Sequence, residues 1–445
     1  MPKGKKKYNK GSGGGGVVPK ARLDNLTSDE DSLNDNASII RGEEVDEQTQ
    51  EELFEEKLME AIDGIMQKSA QARTTALECV GKAFVKKYLP DFVSERHVTI
   101  TEGIKGSLRK GRGAEQGAAA QLAPLLCVQL GPGSCSEEVC SVLGPVLLQV
   151  ATDKSCAPSA RAKCCWSLAL LQFLSGGELV EVTDTMQVLE EIYSGSYFKG
   201  NGTVPTVPAE EAQLHASALA SWSLLLTLLT PGDVYSHIYT ERQVPASYYT
   251  GSTYMLCELE IQIQLERLQE LLESASLEVR MAAGESIAVL FELGRAFNED
   301  FEEAQVEALC DILRQLATDS HKYRAKKDRK TQRSSFRDIL HFIEDGKPLD
   351  IQVRFGKEML LVDSWCKKKH YDAFCQVLGP GLNLHLAEND LLRDVFELGE
   401  RPSLLNGATQ KTTKLERHLM NAAAFKARTI SRSKNRDKRS AVIAC

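Results

Sequence analysis

The sequence has 445 residues, 42% of them hydrophobic, and a net charge of −8. That length and apolar content allow a large core in two or three folded units, and they exclude a wholly disordered chain. The longest apolar stretch, Leu219 to Leu229, carries two serines and a threonine and is far shorter than the roughly 20 residues of a membrane span, so it reads as a buried helix.

Residues 1–48 combine a lysine cluster, the run Gly11 to Gly16 and an acidic Ser/Asp/Glu stretch. Too few large apolar residues are present to bury, and this segment is expected to be a disordered arm. No apolar region follows Met1, so a secretory signal is not expected and the protein is assigned to the cytoplasm and nucleus. The net charge conceals strong segregation. Residues 1–22 hold seven Lys/Arg and no acid, residues 24–60 hold fourteen Asp/Glu against two bases, and residues 411–440 hold ten Lys/Arg against Glu416 and Asp437. Such blocks usually mark interaction segments, and an acidic mean says little about partners.

From Glu51 the pattern turns helical, with Leu53, Phe54, Leu58, Ile62 and Ile65 on one stripe. Five segments then share a polar start, small residues and large apolar residues at helical spacing. Their anchors are Arg73, Gln116, Arg161, Leu214 and Arg280, separated by 43, 45, 53 and 66 residues. The first two intervals match the period of roughly 40 to 47 residues of HEAT and armadillo repeats. Insertions at Gly195 to Pro208 and Tyr235 to Cys257 account for the longer ones. The fold class expected over residues 49–345 is mainly α, a HEAT/armadillo-like helical repeat solenoid; an irregular helical domain is the alternative.

Residues 346–408 change character. Ile351 to Phe355 alternates, Gly356-Lys357 can turn and Glu358 to Asp363 can pair back, which predicts a β-hairpin. Helices are expected at Ser364 to Leu378 and His385 to Leu398, completing a small α+β C-terminal module. Residues 409–445 form a basic C-terminal helix or tail, opened by the capping box of Thr413 and Glu416.

No catalytic or cofactor signature is present. GxxxxGK[ST], HExxH and GxSxG are all missing, the eight histidines are dispersed, and the LGPG sequences at Leu130 and Leu378 read as turns. The twelve cysteines include no CxxC pair. Those in apolar helical stretches, such as Cys164, Cys165 and Cys310, are expected to be reduced core residues. Cys366, His370 and Cys375 are the nearest approach to a zinc set, but their spacing is loose and a fourth ligand is lacking. The chain is therefore read as a non-enzyme without cofactor, metal or small-molecule substrate.

Two basic clusters remain as candidate RNA-binding residues. The first comprises Lys426, Arg428, Arg432, Lys434, Arg436, Lys438 and Arg439, which on a helix fall at about 0, 200, 240, 80, 280, 120 and 220° around the axis. Charge on all sides suits phosphate on several sides, and a helix of about 27 residues, roughly 40 Å long, could enter an RNA-lined channel. A nuclear-localisation tail and a protein-binding tail are the competing readings. The second cluster is Lys322, Arg324, Lys326, Lys327, Arg329, Lys330 and Arg333, leading into the apolar Phe336, Ile339, Leu340 and Ile343. Anchored at one end, it suits a phosphate-positioning surface, against the plainer reading of a solvated helix face. Neither cluster has the aromatic ladder of a single-strand binder, so recognition of shape and backbone is favoured.

The stretches LEVRMAAGESIAVLFELG, LATDSHKYRAKKDRKTQRSSFRDIL, LLRDVFELG and NAAAFKARTISRSKNRDKR resemble the interferon-related developmental regulators over nearly the whole chain. Tyr235 to Cys257 departs from that family by its length. The resemblance implies a helical repeat protein without catalysis, acting either on non-translating ribosomes or as a transcriptional co-regulator with corepressor complexes. The charge pattern of the tail favours the first: a ribosome-associated translational repressor that binds ribosomal RNA. A nuclear scaffold for corepressor proteins is the alternative.

Overall fold

A computed structural model describes residues 47–234, 264–301, 303–318 and 326–401. The N-terminal arm, the Tyr235 to Cys257 insertion, Lys322, Arg324 and the tail from 402 onward lie outside the described residues.

Helices α1 (Glu47–Gly64), α2 (Ala70–Lys86), α3 (Pro90–Ser94), α4 (His97–Lys110), α5 (Ala114–Leu130), α6 (Ser134–Thr152), α7 (Pro158–Ser175), α8 (Leu179–Tyr193) and α9 (Ala209–Leu226) follow in tandem. A helical segment at 264–271 precedes α10 (Leu277–Phe297), α11 (Glu303–Thr318) and α12 (Lys326–Asp345). Start signals in the sequence are used. Ser69 and Ser276 are N-caps whose hydroxyls accept from the N–H groups of Ala72 and Val279, and Pro158 opens α7.

The long helices sort into two layers. Helices α2, α5, α7, α9, α10 and α12 pack side by side in that order, forming an inner layer. Helices α1, α4, α6, α8 and α11 pack against them from the outside, and α4 also meets α6. This is the solenoid expected from the repeats. Helix α5 is buried almost all round: Ala118, Ala119, Ala120 and Ala123 let neighbours approach and Leu122, Leu126 and Val128 fill the spaces.

All five repeat anchors lie near the start of inner-layer helices. The polar anchors act alike, each donating to carbonyls at or beyond the end of the preceding helical segment. Arg73 donates to the carbonyls of Gln67 and Lys68, Gln116 to Leu108, Arg161 to Ala151, and Arg280 to Ser274 and Ala275. Carbonyls at helix ends lack intrahelical donors, so one long polar side chain per repeat satisfies them and fixes the turn. The Leu214 repeat differs: there the neighbouring His215 meets a side chain, its Nδ1 lying 2.7 Å from the hydroxyl of Ser196.

The chain then doubles back. Strands β1 (Ile351–Phe355) and β2 (Glu358–Val362) form the expected antiparallel hairpin, with Gly356 at φ 55° in the turn. Helix α13 (Trp365–Leu378) is capped by Ser364 and lies against α9, α10 and α5. The second expected helix, His385 to Leu398, is corrected: it starts at Leu382 and is broken into α14 (Leu382–Glu388) and α15 (Asp390–Val395). Asn389 makes the break. Its side-chain oxygen caps α15 and its amide donates to the carbonyl of Val128 in the last turn of α5, while His385 Nε2 bonds the carbonyl of Phe84 in the last turn of α2. Gly381 rests on α2 so closely that a Cβ there would lie 2.0 Å from the Val85 carbonyl oxygen. Residues 347–401 thus run from the far end of the inner layer back to its beginning, sharing one apolar core with it.

Candidate nucleic-acid interface

Of the fourteen basic residues singled out, Lys326, Lys327, Arg329, Lys330 and Arg333 are described, and all five lie in the first two turns of α12. Lys326, Lys327 and Lys330 are exposed, while Arg329 and Arg333 are half-buried. At 3.6 residues per turn, Lys326, Arg329, Lys330 and Arg333 occupy one face, and the exposed Arg337 continues it, with the centre roughly 100° from the buried stripe of Gln332, Phe336, Ile339 and Ile343. Lys327 projects from the side away from that stripe. The charge is one-sided, and Asp328 is the only acid within 326–337.

The anchorage of this face begins inside the charged run. Gln332 is 2% exposed; it accepts from Arg280 at 2.9 Å and donates to the carbonyl of Leu316, tying α12 to α10 and the end of α11. One turn on, Phe336 presses into Gly284, where an added Cβ would stand 2.6 Å from the ring. Arg295 donates to the carbonyls of Phe342 and Ile343 at the other end of α12. A basic face held in this way loses little conformational freedom on meeting a phosphate backbone. Gln332 and Arg337 were not among the residues singled out from sequence. Arg337 follows from the i, i+4 step after Arg333, whereas a buried glutamine inside a charge run has no such signature.

The tail residues Lys426, Arg428, Arg432, Lys434, Arg436, Lys438 and Arg439 lie outside the described residues. The point where the chain leaves the described fold is defined: Arg401 pairs with Asp390 at 2.7 Å and lies 5.9 Å over the ring of Tyr88, just past α2. The buried Arg393 secures this exit by binding both carboxylate oxygens of Glu358 and the carbonyls of Leu398, Gly399 and Glu400. The basic face of α12 therefore lies at one end of the inner layer, and the chain leaves the described fold, at Arg401, near the other. Six helices at 8–10 Å spacing make the path along the layer from that face to the exit at Arg401 roughly 45 Å.

Cys366, His370 and Cys375 share α13 but are separately occupied. His370 Nε2 is 2.8 Å from the hydroxyl of Thr227 and its ring lies 4.7 Å from Phe173; burial lowers its pKa to about 4. Burial and the Glu292 carboxylate raise the Cys366 thiol. Cys164, Cys165 and Cys310 are core residues, as expected. Among the described residues no group of three His, Cys, Asp or Glu is placed to hold a metal ion, and no helix is long and apolar enough to cross a membrane.

A family profile described as interferon-related developmental regulator matches residues 24–344, and a second, described as interferon-related protein conserved region, matches residues 389–440, from α15 into the basic tail. Interferon-related developmental regulator 2 of Mus musculus is 44% identical over 408 residues, covering 91% of this chain and 87% of that protein. Interferon-related developmental regulator 1 of Sus scrofa is 41% identical and that of Homo sapiens 40%, each over 90% of this chain and 84% of the relative. By the extent of both matches, the chain belongs to the interferon-related developmental regulator family.

Proposed function

We propose that this regulator is a non-enzymatic, ribosome-associated repressor of translation, acting in the cytoplasm with access to the nucleus. The solenoid docks on the particle through ribosomal RNA, and the basic tail occupies a path that an RNA substrate needs. Inhibition is steric. The observation that carries this reading is the one-sided basic face of α12, anchored by Gln332 and Phe336 at one end of the inner layer, while the chain leaves the described fold towards its basic tail at the other end. A path of roughly 45 Å from that face to the point of exit suits a large, shaped polyanion better than a short oligonucleotide. Two tethered phosphate-binding elements also reinforce each other's occupancy without any sequence readout.

The test is sedimentation with ribosomes in a sucrose gradient, comparing the full chain with one lacking residues 411–445 and with a chain carrying Lys326→Gln, Lys327→Gln and Lys330→Gln. The full chain is expected in the ribosomal fractions and both variants largely at the top. A full chain that stays at the top would overturn the proposal in favour of a nuclear co-regulator, in which basic clusters serve import and the helical surface holds corepressor proteins.

A further inference from the structure

A cleft of about 910 Å³ opens on the inner face between α2, α5, α7 and the turn that ends α13. Its floor is apolar, formed by Leu77, Leu122, Leu125 and Trp166, while Lys82, Lys86 and Lys163 stand over it against the single carboxylate of Glu78. Lys82 and Lys86 are one turn apart on α2 and exposed. Lys163 reaches across from α7 over Gly117, where an added Cβ would be 3.0 Å from its stem. Among the described residues none of these three ammonium groups has a carboxylate within ion-pair distance. An apolar floor under unpaired lysines suits an acidic peptide with a few large apolar side chains.

Such a peptide is attached beside the cleft. Glu51 of α1 lies 3.7 Å from Lys87, whose ammonium also stands 4.4 Å over the Phe54 ring, so α1 begins next to the end of α2 that bears Lys86. The sequence immediately before α1, residues 29–46, contains seven acids, the single base Arg41, and Leu33, Ile39, Ile40 and Val45. Reaching from α2 to α7 takes two helix spacings, roughly 18 Å. Six or seven extended residues cover that distance, at about 3.3 Å each.

We propose that the acidic segment 29–46 docks in this cleft, with its carboxylates on Lys82, Lys86 and Lys163 and with Leu33, Ile39 and Ile40 against the floor. Tethering gives the segment an effective concentration on the order of millimolar, so modest contacts suffice. The chain also leaves the described fold at this end, at Arg401 beside Tyr88, but the tail that follows carries charge of the same sign as the three lysines and is repelled by them.

The experiment uses the full chain with the photo-crosslinking residue benzoylphenylalanine in place of the exposed Gln121 on the cleft wall. After irradiation, sequencing of the linked peptides is expected to return residues 29–46 from the same chain, with yield falling at least about tenfold in Lys82→Glu/Lys86→Glu/Lys163→Glu, because like charges then face each other. A second variant reverses the segment instead, Asp29→Lys/Glu30→Lys/Asp31→Lys/Glu43→Lys/Glu44→Lys, leaves the folded body untouched and is expected to show the same loss. Links to residues 402–445, links only between chains, or a yield insensitive to the segment reversal would each overturn the proposal.

Discussion

The carboxylate of Glu285 on α10 stands 2.9 Å from the ammonium of Lys369 on α13 and 3.2 Å from that of Lys368. This is the main ionic link between the solenoid and the returning C-terminal segment. Burial acts to raise the Glu285 pKa, but Lys369 and Lys368 more than reverse it and hold the carboxyl at about 2. Glu285→Ala would strand Lys369, which is 4% exposed, and is expected to lower stability by about 3–5 kcal/mol. Adding Lys369→Met should recover most of the loss, because Lys368 keeps Asp372 as its partner. Urea unfolding of the single and double variants makes the comparison. Equal losses in both would mean that packing, and not the stranded charge, sets the cost.

Acid should loosen the fold in two stages. His370 is held neutral, its pKa lowered by burial to about 4 from the ordinary 6.5, so between those values the unfolded chain binds a proton that the folded chain refuses. Stability present above pH 6.5 is therefore lost as pH falls towards 4, by at most about 3 kcal/mol for this group. Burial lowers His215 and His385 as well, in the same direction. Glu285 acts further down: its contribution is complete above the ordinary 4.5 and vanishes as pH drops to about 2. The Tm should fall between pH 7 and 5, and His370→Asn should flatten that dependence while lowering the Tm at pH 7. An unchanged slope in the variant would remove His370 from this account.

Gly284 allows Phe336 of α12 to approach α10 directly. Gly284→Ala places a methyl 2.6 Å from the Phe336 ring and 3.0 Å from Ile339 Cδ1, an overpacking expected to lower stability by about 1–3 kcal/mol. Phe336→Leu in the same chain should relieve part of it. Thermal melts of the two variants suffice, and a Gly284→Ala chain as stable as the parent would show that α12 can shift freely.

The solenoid was readable because its signal is local. The small-residue runs after Arg73, Gln116, Arg161 and Arg280 have helical periodicity, and these four polar anchors recur because each satisfies the carbonyls before its helix. The return of residues 347–401 over the inner layer was not readable. Glu285 with Lys369, and Phe84 with His385, are pairings between distant segments, and nothing in either neighbourhood announces the other. The break at Asn389 did carry a signal, an Asn followed by Asp390 at a helix start, but the apolar spacing from His385 to Leu398 concealed it. The basic run from Lys326 to Arg333 was plain in sequence. Its anchorage was not, because Gln332 looks like one more solvent-facing residue until Arg280 is placed beside it.

If α12 and the tail both bind phosphates, their contributions should separate in salt dependence. Each phosphate contact adds about 0.7 to 0.9 to the slope of log K against log salt. Replacing Lys326, Lys327 and Lys330 by Gln is then expected to lessen the slope for ribosome binding by roughly 2 to 3, and replacing Arg432, Lys434, Arg436, Lys438 and Arg439 by roughly 3.5 to 4.5. The α12 changes should leave the melt intact, since all three lysines are exposed and Gln332 and Phe336, which hold the helix, are untouched. Because α12 lies at one end of the inner layer and the chain leaves the described fold at the other, at Arg401, the proposal lets either element stay bound while the other detaches. Each single set should therefore weaken binding, and the two together should reduce it to the level of an unrelated helical protein. Repression of translation in a cell-free extract should fall with occupancy, but only the tail variant should lose repression at protein concentrations that restore full binding, because the tail alone is assigned to the RNA path. A tail variant that binds more weakly yet represses fully once saturated would show that the scaffold, and not the tail, is what obstructs the ribosome.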